Sequence, residues 1–249
     1  MSVRDMVAIV TGGGAGIGLA VARAFASGGA HVLITGRRAD KLEAITRAEP
    51  RIEAVSADVS DPSDARRTID AAVERWDRID VLVNNAGAGS PMPLADNSIG
   101  HLTSVYAVNV IGPTLLASAA VPHLVKSGGS IINVSSTLGT KPVAGLADYC
   151  ASKAAIEHLT RCWALELAPR GVRVNAVASG PVESDFLKER MGLSDEDAEA
   201  VKAQERSVIP LGRRGTPVDV ARWIVSLSSR DADWVTGQVF RIDGGFSLV

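Results

Sequence analysis

Met6-Val7-Ala8-Ile9-Val10 runs straight into Thr11-Gly12-Gly13-Gly14-Ala15-Gly16-Ile17-Gly18, and from Leu19 to Phe25 the pattern becomes helical. An apolar strand, a turn with five glycines in seven positions and a helix start follow one another without a linker. Glycines at such a turn let the backbone come close to a pyrophosphate. The free N–H groups and positive dipole of the helix N-terminus then stabilise its charge. The spacing is Gly12-x₃-Gly16-x-Gly18, longer than the strict G-x-G-x-x-G fingerprint, and no Gly-Lys-Ser/Thr follows, so a Walker A loop is excluded.

Outward from that loop, short apolar runs alternate with stretches of helical period. Met6–Val10, His31–Thr35, Ile52–Ala57, Val81–Asn84, Ser130–Val134, Val172–Ala178 and Val239–Ile242 read as strands buried on both faces. Helices are predicted near 17–28, 39–47, 62–76, 99–126, 148–168 and 217–228, with Asp61-Pro62 and Thr216-Pro217 as helix starts. This order predicts an α/β fold, a doubly wound parallel sheet of about seven strands flanked by helices, in one domain over 1–249. Residues 183–208 interrupt the alternation with a charged segment and a helix start at Ser194. They are expected to lie outside the sheet, as a lid over a site or as a solvated surface helix.

The second strand ends Ile34-Thr35-Gly36-Arg37-Arg38. A carboxylate there would bind the adenosine ribose hydroxyls of NAD; two guanidiniums instead suit the 2′-phosphate of NADP, with Arg37 the better placed. Farther on, Tyr149 lies four residues before Lys153 at a helix start, so the two share a face. A phenol with an ordinary pKa of ~10 needs a nearby cation to exchange protons near neutrality, and Lys153 is positioned to supply it. Such a tyrosine can protonate a carbonyl oxygen or deprotonate an alcohol.

With these motifs in order, the chain resembles the short-chain dehydrogenase/reductase family over essentially its whole length. The resemblance implies a Rossmann-like fold. It implies a cofactor loop at Gly12, Gly14, Gly16, Ile17 and Gly18, an adenine-contacting pair Asp58-Val59, and a segment Asn84-Asn85-Ala86-Gly87 along the cofactor. By the same resemblance Tyr149 is the acid/base and Ser136 orients the substrate oxygen, the frame Ser136-Thr137-Leu138-Gly139 favouring it over Ser135. Lys153 binds the nicotinamide ribose, Tyr149 also lies against the cofactor, and Asn109 holds a water of a proton relay. Pro181, Val182 and Ser184 correspond to the segment that holds the nicotinamide carboxamide. Here Ser179 and Ser184 replace the usual Pro and Thr, and Ala15 stands where many NADP-preferring relatives carry a basic residue, leaving Arg37 and Arg38 as the NADP signal. The long helices 99–126 and 148–168 would pair subunits into a homodimer or homotetramer.

Composition narrows the classes further. Glycine makes up 24 of 249 residues, more than the usual ~7%. A net charge of −2 gives no basic field for nucleic acid or an anionic membrane. Two cysteines, Cys150 and Cys162, form no disulfide framework or zinc spacing. The four histidines are scattered, so no metal is expected. The N-terminal apolar run is too short for a signal peptide, and a cytoplasmic location is expected. The sequence therefore predicts an oxidoreductase that interconverts a carbonyl and a secondary alcohol, with NADP(H) preferred and NAD(H) possible. An NAD-dependent alcohol dehydrogenase and a non-catalytic NADP(H) sensor are the alternatives.

Overall fold

The computed structural model describes residues 2–189 and 191–249. Seven strands, β1 (Val7–Thr11), β2 (His31–Gly36), β3 (Ile52–Ser56), β4 (Val81–Asn84), β5 (Ser130–Ser136), β6 (Arg173–Ser179) and β7 (Val239–Ile242), form one sheet in the order β3-β2-β1-β4-β5-β6-β7. Every pairing is parallel. The chain winds outward from β1 to β3, then returns to lay β4 on the other side of β1. That reversal opens a crevice beyond the carboxyl ends of β1 and β4, where open α/β sheets bind ligands.

Alternation along the strands builds the two cores. Ala8 and Val10 of β1, with Val32 and Ile34 of β2, join one apolar cluster, while Ile9 and Leu33 between them join the other. The first cluster is closed by α1 (Gly16–Ser27), α2 (Ala39–Ala48) and, farther along the chain, α9 (Pro217–Ser228). The second is closed by α3 (Pro62–Trp76), α5 (Gly112–Ser127) and α6 (Ala147–Leu167). Residues such as Ile9, Leu33, Ile69 and Leu82 are wholly buried, each contributing about 1.5–3 kcal/mol of burial. The expected helix starts form as caps: Asp61 accepts from the Ser63 N–H ahead of α3, and Thr216 and Asp219 form a reciprocal capping box at α9.

Three local differences from the sequence reading matter for the site. Strands β5 and β6 stay paired to Ser136↔Ser179, two residues and one residue beyond the predicted ends, which carries Ser136 to the rim of the crevice. The segment read as one helix over 99–126 is α4 (Ile99–Tyr106), a π turn at Ala107–Ile111, and α5. Pro113 has no N–H to give the Asn109 carbonyl, so the regular ladder cannot close there and the turn widens. By length and mean hydropathy this run of 29 residues would cross a bilayer. Here its Val105, Leu116, Ala120 and Leu124 are packed in the interior. Finally, the 183–208 excursion holds two helices, the short α7 (Phe186–Glu189) and α8 (Asp195–Val208), the latter capped by Ser194 as its sequence predicts.

Candidate active site

The glycine loop is shaped by close approach. A Cβ on Gly13 would lie 2.6 Å from Ile34, and one on Gly18 would lie 2.3 Å from the Gly12 carbonyl oxygen. Gly12 and Gly16 have φ of +65° and +53°, which other L-residues resist. Asn84 and its neighbours hold this loop to the sheet. Asn85 donates its amide to the Thr11 carbonyl at 2.8 Å, and the Thr11 hydroxyl accepts from the N–H groups of Asn85 and Ala86, each at 3.0 Å. Asn84 donates to Asn133 at 2.9 Å, which donates in turn to Thr160. Thr11 therefore has a positioning role that its place in the motif did not announce, since its partners lie more than seventy residues away.

Helix α1 opens toward the crevice with Ala15 at its N-cap, no capping side chain and no acidic residue in its first turn. Its end is thus free to accept an anion, and Gly12, Gly14, Gly16 and Ile17 all line the cleft. The cleft, about 1600 Å³, also receives Asp58, Val59, Ala86, Gly87, Pro181 and Val182. These residues fit a nicotinamide dinucleotide lying across the sheet. The segment after β6 is pinned in place: Glu183 N–H donates to the Gly215 carbonyl at 2.8 Å, and Gly215 N–H donates to Pro181 at 2.9 Å. Ser184 sits across the loop, its Cβ 3.6 Å from where a Gly16 side chain would begin.

Arg214 reinforces that segment from the interior. Its guanidinium is 3% exposed, donates to the Val182 carbonyl at 2.6 Å and pairs with Glu183 at 3.3 Å and with Glu205 of α8. An Arg-Arg-Gly stretch before a helix start reads as surface in sequence; only the fold turns Arg214 inward.

The buried face of α6 brings Tyr149 and Lys153 under the rim of β5. Ser136 accepts from the Leu138 N–H at 3.2 Å, and its hydroxyl is the side chain that pulls the Tyr149 phenol down. Ser135, the other candidate, instead donates to Glu157 at 2.9 Å and to the Lys153 carbonyl at 3.2 Å. Lys153 Nζ donates to the Val134 carbonyl at 3.0 Å and lies 5.7 Å from the Tyr149 ring centre. Burial pushes the Tyr149 phenol up to about 12, against the pull of Ser136, and pushes the Lys153 ammonium down to about 8, against the opposing charge of Glu157. Desolvation is the largest influence on both groups.

Asn109 sits in the π turn with its side chain fully engaged. It accepts from the Ala88 N–H at 2.9 Å and donates to the Ala88 carbonyl at 2.7 Å and to Ser152 at 2.9 Å. What it can offer a water is its backbone carbonyl, which Pro113 leaves without the usual helical donor.

The two arginines separate. Arg37 is largely exposed, with Asp58 4.0 Å away as its ion-pair partner. Arg38, expected to be available alongside it, is instead held by Glu189 of α7 at 2.7 Å, because the fold brings in a carboxylate that lies 151 residues away in sequence.

Comparison with known proteins agrees with this architecture. A family model described as "Enoyl-(Acyl carrier protein) reductase" matches residues 12–247. A 2,5-dichloro-2,5-cyclohexadiene-1,4-diol dehydrogenase of Sphingobium indicum is 38% identical, over 97% of this chain and 96% of its own. A short-chain dehydrogenase/reductase of Caenorhabditis elegans, solved with cofactor, superposes with a TM-score of 0.93 at 34% identity, over 99% of this chain and 96% of that one. A 3-ketoacyl-(acyl-carrier-protein) reductase of Brucella melitensis, solved with NADH, gives a TM-score of 0.91 at 32% identity, over 99% and 100%. With a glycine-loop crevice and a Ser-Tyr-Lys cluster over one parallel sheet, the chain belongs to the short-chain dehydrogenase/reductase family, oxidoreductases that act on CH–OH groups with NAD or NADP.

Proposed function

We propose that this protein interconverts a ketone and a secondary alcohol with NADP(H). The observation that carries the reading is the convergence of Ser136, Tyr149 and Lys153 at the mouth of the crevice. Gly12 to Gly18 and the α1 N-terminus would hold the pyrophosphate, Asp58 and Val59 the adenine, and Asn85 to Gly87 with Pro181, Val182 and Ser184 the nicotinamide half. Arg37 would hold the 2′-phosphate. When bound, the nicotinamide supplies or accepts the hydride. Ser136 orients the substrate oxygen, and Tyr149 gives it a proton in reduction or removes one in oxidation. Lys153 anchors the nicotinamide ribose and keeps positive charge beneath the phenol, and the Asn109 carbonyl holds a water that replenishes the proton.

The substrate end of the cleft is walled by Leu138, Val143, Leu146, Phe186 and Leu193, which supports a neutral, fairly apolar carbonyl compound. That fits the cyclic diol and the ketoacyl chain named for the relatives. A homodimer or homotetramer is supported by apolar residues left open on the long helices, Ile99 and Ile111 beside α4 and α5, and Leu165 on α6. The net charge of −2 supports a small-molecule enzyme rather than a nucleic-acid binder, and a cytoplasmic location goes with that reading. One observation favours a second reading, the same chemistry with NAD(H): Glu189 already neutralises Arg38.

The test is to mix the protein with NADPH and a panel of ketones and follow absorbance. Turnover is expected, with Tyr149→Phe lowering kcat by about 10²–10⁴-fold while cofactor affinity stays within about twofold. A variant as active as the wild type would overturn the reading.

A further inference from the structure

Arg38 stands at the N-terminal boundary of α2, two residues beyond β2, and Lys41 lies in the first turn of that helix. Both reach the same carboxylate oxygen, Glu189 Oε1, at 2.7 and 3.2 Å. All three side chains line the adenosine end of the cleft. Two cations converging on one oxyanion is also the arrangement a 2′-phosphate demands. Glu189 therefore occupies, from within the chain, an anion site that a phosphorylated cofactor would use.

We propose that Glu189 is a specificity-determining residue that competes with the 2′-phosphate for Arg38 and Lys41, so that NADP(H) must release α7 whereas NAD(H) leaves it fastened. This rests on the dinucleotide reading above and deepens it. The hydrogen bonds from Arg38 and Lys41 hold the Glu189 carboxyl down at about 2, so the competitor is ionised throughout the working range. Helix α7 is short enough for one end to feel the other. Three residues before the Glu189 that contacts Arg38, the Phe186 ring lies 6.3 Å from the Tyr149 ring. Release at the adenosine end thus frees the segment that covers the reacting end.

Calorimetric titration of the full chain with NADP⁺ and with NAD⁺ tests this. Glu189→Gln is expected to tighten NADP⁺ by about fivefold, the scale of a part-exposed ion pair, and to leave NAD⁺ within about twofold. Amide hydrogen exchange over Phe186–Glu189 is expected to be faster with saturating NADP⁺ than with NAD⁺ in the wild type, and equal in Glu189→Gln. An unchanged NADP⁺ affinity, an equal shift for both cofactors, or wild-type exchange indifferent to the phosphate would overturn the proposal. Arg37→Ala separates the two readings. If it weakens only NADP⁺ while Glu189→Gln is inert, the latch falls and the phosphate site stands. If Arg37→Ala changes nothing while Glu189→Gln still tightens NADP⁺ alone, Arg37 loses its role and the latch stands.

Discussion

Ser135 and Ser136 carry the same hydroxyl one position apart, and the pleat of β5 gives them opposite work. Successive side chains on a strand leave from opposite faces, so Ser135 meets Glu157 and Ser136 meets Tyr149. The sequence framed both serines; the register of β5 against α6 separates them. The same burial that puts Tyr149 and Lys153 side by side dictates a pH dependence. Lys153 loses its proton near 8 while Tyr149 keeps its own to about 12. Lysine charge is present below that point and lost above it, so kcat/KM for ketone reduction is expected to fall as pH rises through about 8. An arginine stays protonated over this range. Lys153→Arg should therefore remove the alkaline limb below pH ~10, even if the absolute rate drops. Profiles of both proteins from pH ~6 to ~10 check this.

At the scale of an element, the π turn in the long helix is the feature with most leverage. A helical period over 99–126 is legible in the sequence, but its break at Ala107–Ile111 belongs to the structure. Pro113 widens the turn at Asn109 specifically, because residue 113 is the one whose N–H would have met the Asn109 carbonyl. Gly112 adds a second constraint, since a Cβ there would stand 2.4 Å from the Val59 carbonyl oxygen. Pro113→Ala restores the missing donor. It is expected to lower kcat by about tenfold through the proton relay while leaving cofactor affinity unchanged and Tm equal or higher. Steady-state kinetics, cofactor titration and thermal melts read the three quantities separately. A variant with wild-type kcat would show that the widened turn serves packing alone.

For the whole molecule, the crevice and the open helix faces follow from strand order. Placing β4 beside β1 puts Asn84-Asn85-Ala86-Gly87 next to the glycine loop, so one segment both braces the loop and walls the cleft. Leu165 is 81% exposed on α6, and Ile99 is 80% exposed at the start of α4. Apolar side chains left this open on neighbouring helices suit a subunit contact. Leu165→Asp is expected to shift the particle toward a smaller assembly in light scattering, with the circular dichroism of the fold retained. An unchanged mass would place the contact elsewhere.

The sequence by itself determined the sheet, the glycine loop and the Tyr149–Lys153 pair, because each rests on local rules: apolar period, glycine at close turns, and residues four apart on one helix face. Tertiary structure alone decided what depends on contacts between distant segments. It set Ser135 against Glu157 and Ser136 beside Tyr149, turned Arg214 inward, committed the Asn109 side chain to Ala88, and gave Arg38 to Glu189 across 151 residues. Periodicity reports which face of an element is buried and is silent about the partner across the gap. The energy of a charge or a hydroxyl depends on that partner.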